Sequence, residues 1–443
     1  MVSTLSKYKN IFGEQNQKGQ FDSVEARNNS NSDGSSVDVS PDFLAINWLT
    51  KGGGAIGIFE TNNFMRVKSS FPLIRGHSAA VTDLKFSPFV NNLLASASED
   101  GTVKIWTIPE NGLKEDMTGE TQLFNGHTKK VSLLAFHPSV RDVIASVGSA
   151  QDLFVWNITN SEVLSKINLN EQAYNIDWNY LGSLAALMCK NKKAYVYDVR
   201  SNSEVLSTDG HDTAKVQKVN FADDNYMFST GFSSKGYREI KLYDVRNFNT
   251  PVQSQKIDTL SGMLSNYYDR DTGVAYLTGK GEGIVTFLEI KDGLIKQGST
   301  YSSNEQAISY AFFPKRTMDY NSCELVRCAK LTKDTCCYIS FKYPRRNQGY
   351  SEEFYPDCVI GEPAMSTEEW MSGKNTELKR ASITTIENKF KSEVIQFNKK
   401  VVEEKKSFNL DDVLRENEIL KRENEELKQQ IEKLSSKLQS NNL

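Results

Sequence analysis

The chain repeats a sentence. Gly76-His77, a Phe-Ser-Pro run ending at Pro88 and the stretch SASEDGTVKIW ending at Trp106 return as Gly126-His127, a Phe-His-Pro run ending at Pro138 and LFVW ending at Trp156. Matching positions lie 50 residues apart. A unit of that length, with a Gly-His start and a Trp-Asp-like end, is the mark of a β-propeller blade.

Each part of the unit has a place in a four-stranded blade. The Gly-His turn starts it, an apolar strand carries Phe86 or Phe136 inward, and the strand LLASAS runs to a tight turn at Asp100-Gly101. The third strand, TVKIW, alternates β-branched and aromatic residues. His77, Ser96 or Ser98, Asp100 and Trp106 are expected to share a buried hydrogen-bond network, with His127, Trp156 and His211 as counterparts in other units. Such a network is stable only when every member is satisfied, which makes His77 structural.

The third-strand signature recurs as IGIF ending at Phe59, VKIW at Trp106, LFVW at Trp156, AYVY at Tyr197, IKLY at Tyr243, IVTF at Phe287 and CCYISF at Phe341. Successive endings are 41 to 54 residues apart, which predicts seven blades. The units are not copies. The second has Ala150 where the first has Asp100, with Asp152 displaced toward the strand. The fourth keeps Gly210-His211 and ends in Tyr243-Asp244, while the third and fifth lack the Gly-His pair.

A net charge of −3 over 443 residues gives no pull toward nucleic acid, and no arginine-rich stripe is present. The start, MVSTLSKYKN, has no apolar core, so neither a signal peptide nor a membrane span is expected. Cys189, Cys323, Cys328, Cys336, Cys337 and Cys358 lack zinc-ligand spacing and read as reduced thiols, so no metal is expected. Lys51-Gly-Gly-Gly and Gly279-Lys-Gly-Glu-Gly precede strands, not the helix N-terminus that a phosphate cradle needs. Three of the four histidines follow glycine in blade starts and His137 precedes Pro138, leaving no nucleophile, base and orienting group. The expectation is a non-enzyme without a cofactor.

The tracts GMLSNYYDRDTGVAYLTGKGEGIVTFLEI (262–290), FFPKRTMDYNSCELVRCAKL (312–331), FYPDCVIGEPAMSTEEWMSGKN (354–375), SKYKNIFG (6–13) and FLAINWLTKGGGAIGIF (43–59) closely resemble coronin, the actin-binding propeller family. The resemblance implies an all-β, seven-bladed WD40 propeller over residues 1–353, closed by its own N-terminal strand. A C-terminal extension (354–382) packed on the ring follows, then an amphipathic linker (383–408) and a parallel α-helical coiled coil (409–443). Trp370 and Tyr355 are expected to anchor the extension apolar side down. The segment 20–40, QFDSVEARNNSNSDGSSVDVS, is more polar than the family's usual stretch. Arg27 is nearest to the basic residues that the family uses on filaments there, and Glu25 takes one possible register.

The tail reads without the family. Leu410, Asn417, Asn424, Ile431 and Leu438 occupy heptad position a, and Val413, Leu420, Leu427 and Leu434 occupy d. Glu416 with Lys421 and Glu423 with Lys428 attract between parallel chains, and asparagine at a favours two strands over three. A parallel homodimer is expected, with a trimer as the alternative. In the linker, Ile386, Phe390, Val394, Phe397 and Val401 recur at helical spacing. Lys379-Arg380-Ala381-Ser382 reads as a basic-directed kinase site, with Ser382 the acceptor.

Actin filaments present acidic surfaces, so Lys7, Lys9, Arg27, Lys129, Lys130, Lys215 and Lys218 are the candidate loop contacts. The resemblance adds the branching complex of actin-related proteins and cofilin as partners. It places the chain in the cytoplasm, at the actin cytoskeleton and cell cortex. The reading of another class is a general WD40 scaffold for trafficking or signalling complexes that does not touch actin.

Overall fold

The computed structural model describes residues 6–16, 19–28, 33–344 and 350–386. The expected heptad positions from Leu410 to Leu438, and the linker from residue 387 onward, lie outside the described residues.

The described residues build seven antiparallel blades around a central channel. Blade 1 runs outward through Val37–Val39, Phe43–Trp48, Gly54–Glu60 and Leu73–His77. Blade 2 follows with Val81–Phe86, Leu93–Ser98, Thr102–Thr107 and Gln122–Asn125. Blades 3 to 6 span 131–168, 173–209, 218–258 and 264–302. All seven third-strand signatures fall on the third strand of a blade.

Blade 7 takes three strands from Ser309–Phe312, Glu324–Leu331 and Thr335–Lys342, and its outer strand is Phe12–Gln15. The register pairs Phe12 with Lys342 and Gln15 with Ile339, and Phe21–Asp22 adds to the same partner strand. Closure by the N-terminal strand satisfies the edge that an open ring would leave unpaired.

The sequence unit is offset from the blade. Gly76-His77 ends the outer strand of blade 1, while the rest of its unit forms blade 2. A Cβ at Gly76 would meet the Trp106 ring, and one at Gly126 would meet the Trp156 ring. Glycine therefore stands where the outer strand passes over the tryptophan of the next blade. Apolar clusters are correspondingly shared between neighbours. Ile56 and Ile74 of blade 1 pack with Leu84 and Trp106 of blade 2, and Phe124 of blade 2 stacks on Trp156 of blade 3 at 5.1 Å.

The channel encloses about 610 Å³. Inner-strand carboxylates join its walls: Asp38 accepts from Phe86 N at 2.6 Å, Asp83 from Leu134 N at 2.8 Å and Asp177 from Phe221 N at 2.8 Å. Each bond crosses from one blade to the next. The polar segment 20–40 reaches the channel wall, with Ser35 N donating to Asp83 at 2.8 Å.

The extension packs on the ring. Ala364 N donates to Ser139 O at 2.8 Å, and Tyr355 OH to Glu324 O at 3.0 Å. The short helix Thr367–Met371, closed by a Ser366–Glu369 capping box, seats a fully buried Trp370 against His137 and Trp178. Burial pushes the His137 imidazole down to about 3. The neutral ring faces Gly182 O through Nε2 at 2.9 Å and accepts Val140 N at Nδ1 at 2.9 Å. All six cysteines are buried free thiols. Among the described residues no three metal-ligating groups gather, and no helix is long and apolar enough to cross a membrane.

Candidate functional site

Antiparallel meanders put alternate connections at opposite ends of the ring, so the loops sort into two faces. One face carries the turns between second and third strands together with the links from each outer strand to the next blade. These two sets touch: a Cβ at Gly101, in the blade 2 turn, would lie 3.3 Å from Lys129 O in the link to blade 3. The Gly-His pairs lie on this face, and the network behind them fixes its loops.

In the first network Trp106 Nε1 donates to Ser96 Oγ at 2.8 Å, and Ser96 Oγ meets His77 Nε2 at 2.8 Å. His77 Nδ1 meets Asp100 at 2.9 Å. A neutral imidazole protonated on Nδ1 satisfies every member: tryptophan gives to serine, serine to histidine, histidine to carboxylate. Burial pushes the Asp100 carboxyl up, but hydrogen bonds from His77 and Thr102 outweigh it and hold it well below the usual carboxylate range. Ser98 stands apart, bonding Ala79 O at 3.1 Å.

His127 repeats the arrangement with Ser146 at 2.7 Å, Asp152 at 2.9 Å and Trp156. His211 meets Ser229 and Glu239, each at 2.9 Å, and Tyr243, at the tryptophan's position in the unit, donates its OH to Asp209 O at 3.2 Å. Where the Gly-His pair is missing between blades 5 and 6, a salt bridge does the joining. Arg238 donates to Asp258 at 2.6 Å, to Glu282 at 2.9 Å and to Gly262 O at 3.0 Å. Each histidine or arginine bonds across from one blade to the next, so these polar groups join the ring and present its loops.

Of the candidate contacts, Lys129, Lys130 and Lys215 lie on links of this face, and Arg27 lies beside it with its N–H on Asn47 O at 2.9 Å. Lys215 also rests over the Phe232 ring at 4.2 Å, which orients its ammonium. The turns before the third strands add exposed Lys51, Lys190, Lys192 and Lys235, which the sequence reading passed over. Their signal is position, directly ahead of each third-strand signature. Glu99 and Asp212 interrupt the array.

The other candidates are elsewhere. Lys7 and Lys9 sit toward the opposite end, where Lys7 Nζ donates to Glu353 O at 2.6 Å, above the Tyr8 ring. Lys218 is not a loop residue but begins the inner strand Lys218–Phe221. Its Nζ donates to Tyr174 O at 2.8 Å and Asp33 O at 3.0 Å inside the channel, and burial pushes its ammonium down to about 8.

Three family descriptions match: a domain of unknown function over residues 2–66, a WD domain, G-beta repeat over 68–107, and a type of WD40 repeat over 336–378. Coronin-A of Dictyostelium discoideum is 40% identical over 385 residues, covering 86% of this chain and 86% of its own length. The chain belongs to the coronin family. Coronin-2B of Xenopus laevis is 37% identical over 430 residues, 94% of this chain and 90% of that coronin. The WD40 domain of Toxoplasma gondii coronin, a crystal structure, superposes with a TM-score of 0.81 at 29% identity, covering 85% of this chain and 98% of that one. The 336–378 match begins on the third strand of blade 7 and continues into the extension, so in this coronin it marks the partner of the closing strand and the extension rather than a further blade.

Proposed function

We propose that this coronin binds actin filaments through the face bearing Lys129, Lys130 and Lys215, with Arg27 beside it, and cross-links them through its coiled coil. The observation that carries the reading is the gathering of these cations on the face stiffened by the Gly-His networks, while the extension occupies loops of the other end. Fixed loops lose little freedom on binding, and exposed lysines aimed at an acidic lattice speed encounter. Lys7 and Lys9 form a separate candidate contact at the opposite end.

A parallel dimer through Leu410, Val413, Asn417, Leu420, Asn424, Leu427, Ile431, Leu434 and Leu438 would present two rings. Avidity then rises by about 10²–10⁴ without new contacts, provided both rings reach the lattice. The branching complex of actin-related proteins and cofilin are proposed as further partners, and the actin-rich cell cortex as the site of action.

Co-sedimentation with actin filaments tests this. Full-length protein is expected to pellet, less so at higher salt because exposed charges are screened over about 8 Å at physiological ionic strength. The triple variant Lys129→Glu, Lys130→Glu, Lys215→Glu, and a chain ending at Ser407, are both expected to pellet poorly. Pelleting of the triple variant equal to wild type would remove this face from the account.

A further inference from the structure

The last strand of the ring unit is two residues long. Arg380–Ala381 pairs only with Cys358–Val359, and one further backbone bond, Ile360 N to Lys379 O at 3.2 Å, extends the contact. So short a ladder opens at a small fraction of the cost of global unfolding. Ser382 follows it directly, half-buried, next to Ile383, the last residue of the compact ring unit. The sequence there reads Leu378-Lys379-Arg380-Ala381-Ser382-Ile383. Cations three and two residues ahead of a serine, with an apolar residue behind it, suit an acidic kinase cleft that takes its substrate as an extended strand.

In the closed ring those cations are engaged. Arg380 NH1 donates to Asp271 Oδ1 at 2.7 Å and to Asp357 O at 3.3 Å, and Lys379 Nζ to Glu362 Oε2 at 3.1 Å. Asp271 belongs to the ring's own charge cluster, beside Asp269 and its partner Lys315 at 2.8 Å. Burial, and then the Asp269 charge, push the Asp271 carboxyl up to about 6 against the pull of Arg380. The aspartate is 9% exposed and the arginine 37%, so the arginine is the partner free to leave. Continuing the register past Cys358 and Ala381 sets Ser382 opposite Asp357.

We propose that Ser382 is a phosphorylation site for a basic-directed protein kinase, read when the Arg380–Ala381 strand lifts from the ring, and that the phosphate then holds the strand off. The Ser382 hydroxyl attacks the γ-phosphorus of ATP, the bond to ADP breaks, and the hydroxyl proton passes to the kinase's catalytic base. The product carries a charge of about −2 two residues from Arg380. Arg380 gains a partner on its own strand, while Asp357, Asp271 and Asp269 repel the phosphate from the docked position. Trp370, ten residues earlier, is a separate anchor, so the release is confined to the last strand. This inference does not depend on the actin reading.

The test incubates the full chain with ATP and the catalytic subunit of a cyclic-AMP-dependent kinase, locates phosphate by mass spectrometry and follows amide exchange. Phosphate is expected on Ser382 and absent from that position in Ser382→Ala. Asp271→Asn, which loosens Arg380, is expected to raise the initial rate about tenfold. Should that variant fold poorly, Glu362→Gln, at an exposed ion pair, is expected to raise it about twofold to fivefold. Amides of 358–360 and 380–382 are expected to exchange about tenfold faster after phosphorylation, with the strands of blade 7 unchanged. Three results would overturn the proposal: Ser382 unmodified in the full chain while the peptide 376–386 is phosphorylated in the same reaction, rates unmoved by the variants, or phosphate incorporated with unaltered exchange.

Discussion

His127 Nδ1 lies 2.9 Å from Asp152 Oδ1, the separation found between His77 and Asp100, although Asp152 stands two places later in its unit. The carboxylate has moved from the turn to the start of the third strand without loss of contact. What the ring preserves is an acceptor for the histidine, and more than one backbone position delivers it.

If serine is the hinge of these chains, its removal strands two partners. Ser96→Ala leaves Trp106 Nε1–H and His77 Nε2 without their shared oxygen and is expected to cost about 2–3 kcal/mol. Ser146→Ala should cost a similar amount. Urea unfolding midpoints measure both, and an unchanged midpoint would mean that water replaces the hydroxyl.

Gly182 adopts φ +69°, and a Cβ there would overlap the His137 ring. Gly182→Ala is expected to lose about 2 kcal/mol or more and to disturb the Trp370 seat. Thermal unfolding and a red shift in tryptophan emission report the two effects.

The pH dependence follows from the neutral His137. Its folded value, about 3, lies below the ordinary histidine value, so the unfolded chain takes up a proton first as pH falls. The neutral ring is fully accommodated above pH 6.5, and stability is lost on descending from about 6.5 toward 3, at about 1.4 kcal/mol per pH unit from this group alone. Burial lowers His211 in the same direction despite its bond to Glu239, so the comparison needs a variant. His137→Gln is expected to show a shallower loss than wild type in denaturation between pH 6.5 and 5. Equal slopes would contradict the assignment.

Lys218 and Lys215 separate structure from contact. Lys218→Met removes donors from two carbonyls in the channel and is expected to cost about 1–3 kcal/mol while leaving filament affinity unchanged. Lys215→Glu should do the reverse. Melting and co-sedimentation on both variants read the contrast.

For the tail, replacing Asn417 and Asn424 together with isoleucine is expected to raise its melting temperature and loosen strand number, since paired amides at position a favour two chains. Light scattering is the check: wild type near twice 49.9 kDa, the variant with a heavier population.

The ring was legible because its third strands are buried in every blade, and burial keeps an aromatic at their ends even where Trp106 has become Tyr197 or Phe341. The joints were legible only where histidine makes them. Arg238 and Glu282 perform the same office with different chemistry, and no spacing rule connects an arginine of one blade to a glutamate 44 residues later. Lys218 read as a loop cation because Lys-Val-Asn-Phe is a short strand whose lysine turns into a channel, and nothing in the local pattern separates that from a surface. Trp370 and Tyr355 were expected as anchors and are both buried, although the His137 seat under Trp370 depends on a glycine 45 residues away.

The closing strand sets an order of events during synthesis. Phe12–Gln15 leaves the ribosome ahead of every blade, yet its partner Ile339–Lys342 is made only after the strands of six blades. Until then the early strand has no ladder to join, and the incomplete ring has no partner to close it. A translating ribosome that stalls anywhere before residue 342 therefore carries an arc with an idle leading strand. Such an arc is a species for chaperones to hold, and one able to trade strands with a neighbouring nascent chain.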